Sequence, residues 1–433
     1  MSMIQKGALA VLTGTLAVTD CTISVSAPII NDAGTPPGSG SGGPANGSSG
    51  GSSGGSGGPG PTDASGSGAT DAAIRTLGFK PSNIPTSADL VPAGDLVFNT
   101  HTCDGTRGKI DTSNGMVSCG PNGLFTTGKM NYAKITQSDQ SFGALPTALF
   151  VTNHFTVETG MVVEVVGNLP LIIVAFDDAN ISGVLQAIPA PTYDQGVAGG
   201  QSGPGMGGTA GLGPGGGRPS TISGGAGGAG FCGVGGDGGG NTGSGGKAYG
   251  HTNNIPLLAG SSGASGMYGT GGAGGGAVQI VSATTIEVTG LGTINVGGAG
   301  PRWSRNGGGS GGAILLEAPS VHIVGTLAAN GGGGAEADIN NGGQNAQASA
   351  TPAAGGASTE PFRSSGGNGG AGVSIDGASS LTPTATNGEG GGGGGAVGRI
   401  RINVMHGNPN FDSNSIVSPA LTTPCATQGT LSL

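Results

Sequence analysis

A pair of adjacent acids, a few isolated polar side chains, five cysteines and one tryptophan between arginines are what this chain offers for chemistry. Asp177-Asp178, Glu317 and His322 are the acid–base candidates. Carboxylates on one sheet face are what polysaccharide lyases and hydrolases use to move protons at a glycosidic link. Each candidate also has a structural reading. Asp177-Asp178 falls between two apolar runs, where aspartate serves turns by bonding its own backbone. His322 and Glu287 lie between apolar neighbours, in Val321-His322-Ile323 and Ile286-Glu287-Val288, which are the outward positions of a strand. The sequence therefore assigns no catalytic residue.

Arg302, Trp303 and Arg305, in GPRWSRNGG, form an aromatic–cationic cluster inside a glycine-rich segment. Displayed on a surface, such a cluster would contact carbohydrate or protein; packed inward, the indole would cap an edge. No metal site is expected, since the cysteine and histidine spacings do not suit zinc. GVGGDGGGN, residues 233–241, lacks the apolar position of a calcium-binding nonapeptide. GLFTTGKM, residues 123–130, nearly spells a phosphate loop, but Met130 stands where a hydroxyl must hold magnesium. No cofactor is implied.

Composition narrows the function classes. One hundred of 433 residues are glycine, and only 9% are charged. Glycine at that level without a strict triplet period excludes collagen and points to repeats or low complexity. With 23 acidic and 14 basic residues the net charge is −9. Phosphate backbones would be repelled, so nucleic acid is excluded as a partner.

The first twenty residues read as a signal-like segment: Lys6, a mildly apolar stretch, then small residues. The apolar part is far too short to span a bilayer. LAVTDC, ending at Cys21, resembles a bacterial lipoprotein box, with Asp20 where Gly, Ala or Ser usually stands. Lipidation of Cys21 and an ordinary cleaved signal both remain open. Residues 21–69 are a Gly/Ser/Pro-rich tether, whose core stretch 34–68 would reach about 30–35 Å as a flexible coil. Any membrane contact would run through a lipid anchor. Four further cysteines suit an oxidising compartment. Cys103 and Cys119 bracket a turn-rich loop and are expected to pair, which leaves Cys232 for Cys425.

Strands come from three stretches aligned on a glycine: VAFDDANISG to Gly183, VSATTIEVTG to Gly290 and LEAPSVHIVG to Gly325. Two positions before it stand Ile181, Val288 and Ile323; four before it, Ala179, Ile286 and Val321; nine before it, Val174, Val281 and Leu316. The alternation in Ile286-Glu287-Val288 and Val321-His322-Ile323 has period two, the period of strand. Each unit has an apolar run ahead (LIIV, AVQIV, AILLE) and another behind. Three short strands per repeat predict an all-β fold, a parallel β-helix or β-solenoid with glycine-rich loop insertions. The solenoid is expected over 148–433, behind a capping region at 70–147 that holds Cys103 and Cys119. TDAAIRTLGF, from Thr70, is the best helix candidate.

The segments near 196–276, 297–312 and 330–396 interrupt the repeat at one corner, after the third strand. They are either disordered or packed on one another as extended polyglycine. Their phrases, GGAGGAGFCGVGGDGGG, GGAGGGAVQIVSATTIEVTG and GGGGGGAVGRIRI, resemble a set of exported glycine-rich proteins of myxobacteria over residues 145–433. The glycine tracts are also similar to the PGRS repeats of mycobacterial surface proteins. The resemblance implies an outer-membrane or cell-surface location and brings no catalytic residue. The expected role is structural, adhesive or interactive, with an envelope protein or polysaccharide as partner. A carbohydrate-active β-helix enzyme is the alternative.

Overall fold

Apolar alternation builds twenty short strands in the computed structural model. It describes residues 76–433 except 104, 121–130, 140, 191–194, 221–223, 241–242, 339–340 and 382–388. No helix occurs among these residues. Of the stretch from Thr70 read as helical, residues 70–75 lie outside the described residues and 76–79 are irregular. Cys21 and the 123–130 loop lie outside them too.

The chain opens with β1 (Leu96–Phe98), β2 (Arg107–Asp111) and β3 (Met116–Cys119), then the hairpin of β4 (Asn131–Asp139) and β5 (Gly143–Thr152). From there it passes through three sheets in rotation. β6 (Phe155–Val157) and β7 (Val162–Val166) are followed by β8 (Leu171–Ala175), β9 (Asp178–Ile181) and β10 (Val184–Gln186). β11 (Ala277–Ser282), β12 (Thr285–Val288) and β13 (Thr293–Asn295) make the next circuit, and β14 (Ala313–Ala318), β15 (Ser320–Ile323) and β16 (Thr326–Ala328) another. β17 (Arg399–Val404), β18 (Asn410–Phe411), β19 (Ile416–Ser418) and β20 (Ala426–Thr430) finish the chain.

The sheets run β1-β6-β9-β12-β15-β18, β19-β16-β13-β10-β7-β2-β3 and β20-β17-β14-β11-β8-β5-β4. All pairs are parallel except β2/β3 and β4/β5. Parallel stacking thus begins at Leu96, well ahead of residue 148, because β1 and β2 continue the sheets of β6 and β7.

Register places the aligned side chains in interior columns. Phe98, Val157, Ile181, Val288, Ile323 and Phe411 are successive partners in the first sheet. Ile181, Val288 and Ile323 are fully buried in one apolar core. The third sheet differs in being apolar on both faces. Ile173, Ile280 and Leu316 point into that core, while Ile172, Val174, Val281 and Leu315 join a second cluster under Leu77, Phe79, Ile84, Phe231 and Leu257. LIIV is therefore a continuous run rather than an alternating one, as expected of a strand covered on both sides.

One alignment column is corrected. Val281 pairs with Val174 and Glu317, and Leu316 pairs with Ile280. Two residues separate β8 from β9 and β11 from β12, but only Pro319 separates β14 from β15. Counting back from the glycine cannot see that shorter corner.

Both expected disulfides are present, Cys103–Cys119 and Cys232–Cys425. The second closes 193 residues and ties the glycine-rich region to the end of the chain.

Candidate functional site

The three glycine-rich segments leave after β10, β13 and β16, all in one sheet, and return into β11, β14 and β17, all in the next. They are folded. Along 225–230 the amides donate in a three-way rotation. Gly225 and Gly228 donate to Gly239 and Gly236, Ala226 and Ala229 to Arg305 and Gly308, and Gly227 and Gly230 to Arg218 and Gly215, all at 2.7–2.9 Å. Along 307–312 the rotation recurs: Gly307 and Ser310 bond Ala264 and Ser261, Gly308 and Gly311 bond Gly393 and Ala396, Gly309 and Gly312 bond Ala299 and Val296. Residues 392–397 repeat it against 335/332, 226/229 and 378/375.

A period of three with every bond going to a neighbouring run is the geometry of extended polyglycine helices packed side by side. Neighbours approach so closely that side chains have no room. A Cβ on Gly309 would strike the carbonyl oxygen of Ala273, and one on Gly395 would strike that of Gly309. Glycine here is a packing residue, and the array is a core made of backbone.

The turns at the far ends of these runs carry what the runs cannot. From Val296 to Pro301 is six residues, so the turn after it stands roughly 20 Å from the strands. Four large side chains gather on adjoining turns: Met206 is 70% exposed, Tyr268 55%, Trp303 46% and Met267 40%. Asn306, itself buried, fixes two of these turns together. Its Nδ2 donates to the carbonyl oxygens of Tyr268 and Trp303 at 2.8 and 2.9 Å, and its Oδ1 accepts from Gly266 N. Gly266 O in turn accepts from Gly208 N, beside Met206. Trp303 lies against Gly269, whose φ is +78° and where a Cβ would come within 2.5 Å of the Trp303 Cβ. Only glycine allows that close approach of ring and turn.

Arg302 and Trp303 come together: the guanidinium sits 5.3 Å from the indole centroid. Arg305 does not join them. Its side chain is 11% exposed, pairs with Glu389 and donates to Ala337 O at 3.2 Å. Arg363 closes the same group through Glu389 at 3.0 Å and Asp338 at 2.5 Å. Burial alone would raise the Glu389 carboxyl, but Arg305 and Arg363 hold it below its ordinary value. Burial pushes Glu336, on the adjoining run, upward. Arg305 therefore binds the turns to one another and offers nothing outward.

Tyr268, Met206 and Met267 were missed by sequence reasoning. The available signal was a large side chain standing alone in glycine, as in GPGMGGT and SGMYGTGG, where it marks a turn.

The acid–base candidates separate. Glu317 is buried and fully used as an acceptor, from Ser82 N and Oγ at 2.9 and 2.7 Å, Gln279 Nε2 at 2.8 Å and Asn403 Nδ2 at 3.0 Å. Four donors are what a buried carboxylate requires, and they fasten residues 80–84 across the third sheet. Its position inside the apolar strand β14 hid that role. His322 and Glu287 face outward from neighbouring strands, 4.0 Å apart. Asp177 and Asp178 both reach His154, Asp177 at 3.4 Å and Asp178 by a short bond to Nδ1. The bond to Asp178 holds His154 above its ordinary value. Asp178 also lines a cavity of about 400 Å³ with Glu158, Thr156 and Asn180. Among the described residues no three acids, histidines or cysteines group to hold a metal ion, and Asp237 accepts from Gly245 N within the array.

The chain matches no protein-family model, no curated protein and no solved structure.

Proposed function

We propose that this is an exported, surface-anchored protein of structural and adhesive role, in which a parallel β-helix carries a glycine array and the outer turns of that array touch the partner. The circuits through three sheets, parallel apart from β2/β3 and β4/β5, support the helical stack. The signal-like segment, the box at Cys21 and the tether at 21–69 support export and anchoring at an outer membrane or cell surface. The partner is an envelope protein or polysaccharide. The observation that carries the reading is the cluster of Trp303, Tyr268, Met206 and Met267, exposed together on adjoining turns of the glycine array. Rings held on a preordered backbone bind with little ordering cost, which is what adhesion needs.

Two measurements test it. Full-length protein on a sensor surface should capture envelope fragments, and Trp303→Ala with Tyr268→Ala should weaken capture at least tenfold. Leu291→Ala, an exposed apolar change on a strand corner, should leave it unchanged. Equal loss in both variants removes the turns from the account. For the anchor, wild type should partition into detergent and Cys21→Ser should not; aqueous partitioning of both refutes lipidation.

A second reading, a carbohydrate-active enzyme, draws on one observation: Asp178 and Glu158 line a cavity beside His154. Two carboxylates are the parts of glycosidic cleavage. Release of reducing ends from a polysaccharide by wild type but not by Asp178→Asn would favour it.

A further inference from the structure

The contact surface has one feature that apolar docking leaves unexplained. Arg302 is exposed, no ion pair to it occurs among the described residues, and its guanidinium lies over the indole of Trp303. The other two arginines of these turns are each tied to acids, Arg305 to Glu389 and Arg363 to Glu389 and Asp338. Arg302 therefore stands without an acid partner among the described residues, laid against a ring that is itself 46% exposed. A purely apolar ligand would strip water from that guanidinium and give nothing back.

We infer that these turns bind a polysaccharide carrying carboxylates, a uronate polymer, with a sugar ring against Trp303 and its carboxylate on Arg302. The inference rests on the adhesive reading above and names its ligand. An indole accepts the C–H face of a pyranose, and a guanidinium fork matches a planar carboxylate by two parallel hydrogen bonds. A single arginine suits a single planar anion; phosphate and sulfate polymers are met by clusters of cations. Tyr268 supplies a second ring on a turn that Asn306 ties to that of Trp303. A linear polymer can follow two rings on successive turns. A protein partner would want a continuous apolar centre within an interface of roughly 800 Å² per side, whereas four large side chains gather here. The net charge of −9 repels an acidic polymer from the body at large, which confines attachment to the turns.

The test is retention of the full-length protein on immobilised polygalacturonate and alginate, beside methyl-esterified polygalacturonate, dextran and dextran sulfate. Retention is expected on the two uronates, at least tenfold weaker on the ester, and absent on dextran. Trp303→Ala and Arg302→Gln should each abolish it, Arg302→Lys and Trp303→Phe should restore part of it, and added salt should weaken it. Equal retention on the ester, or stronger retention on dextran sulfate, overturns the carboxylate assignment. Uronate retention that ignores both substitutions overturns the site. If no polysaccharide is retained while envelope capture still depends on Trp303 and is lost on protease treatment of the envelope, the partner is a protein. The ligand class then falls and the adhesive reading stands. If envelope capture is also independent of Trp303, both fall.

Discussion

The strand stack and the glycine array solve one problem, burying backbone with every polar group satisfied, by opposite means. In the stack, adjacent rungs share hydrogen bonds along three sheets and the interior is filled by columns such as Ile181, Val288 and Ile323. In the array the runs bond to neighbours on three sides and the interior contains almost no side chain. The stack is cohesive through apolar area, the array through density of backbone contacts. Their tolerances should therefore be mirror images: the stack should suffer from removing atoms, the array from adding them.

The sharpest break of that symmetry is Gly309→Val. Overpacking an ordinary core costs about 1–3 kcal/mol because rotamers adjust. Here the obstacle is the Ala273 carbonyl, which has no rotamer, so the cost should exceed that range and thermal scans should show loss of the array. Next is the link between the two regions. Opening Cys232–Cys425 by Cys232→Ala with Cys425→Ala should cost about 5 kcal/mol on the chain-entropy account of a loop this long, read by denaturant unfolding without reductant. Within the stack, Ile323→Ala should cost roughly 2–5 kcal/mol.

A smaller effect separates the outer turns from both. Because the arginines lower Glu389, its ion pairs stabilise the turns above the ordinary carboxylate range and are lost as pH falls through the depressed value. Glu336 is raised, so its protonation on acidification acts in the opposite sense. Trp303 is the only tryptophan, so its emission should change as pH falls below the ordinary carboxylate range and the change should vanish in Glu389→Gln. The smallest effect is His322→Ala, an outward residue beside Ile323, expected within about 0.5 kcal/mol.

Strand positions were legible because period two leaves a mark in residue type: Ile286-Glu287-Val288 and Val321-His322-Ile323 pair in the register that alignment gives. The Pro319 corner was not, since a loop shorter by one residue moves Leu316 without changing its neighbours in sequence. The order of the glycine runs was less legible still. A three-way hydrogen-bond rotation is carried by amides that every residue possesses, and only the spacing of Ala226 and Ala229 hints at it. Trp303 and Arg302 stood out by type. Arg305 looked equivalent in sequence, yet Glu389, 84 positions away, turns it inward.

Amide hydrogen exchange of the native protein addresses the central claim most directly. The amides of 225–230, 307–312 and 392–397 should exchange as slowly as those of β11 and β14, because each donates to the backbone of a neighbouring run. Exchange of these glycine amides at unfolded-chain rates, with the strands still protected, would contradict the account.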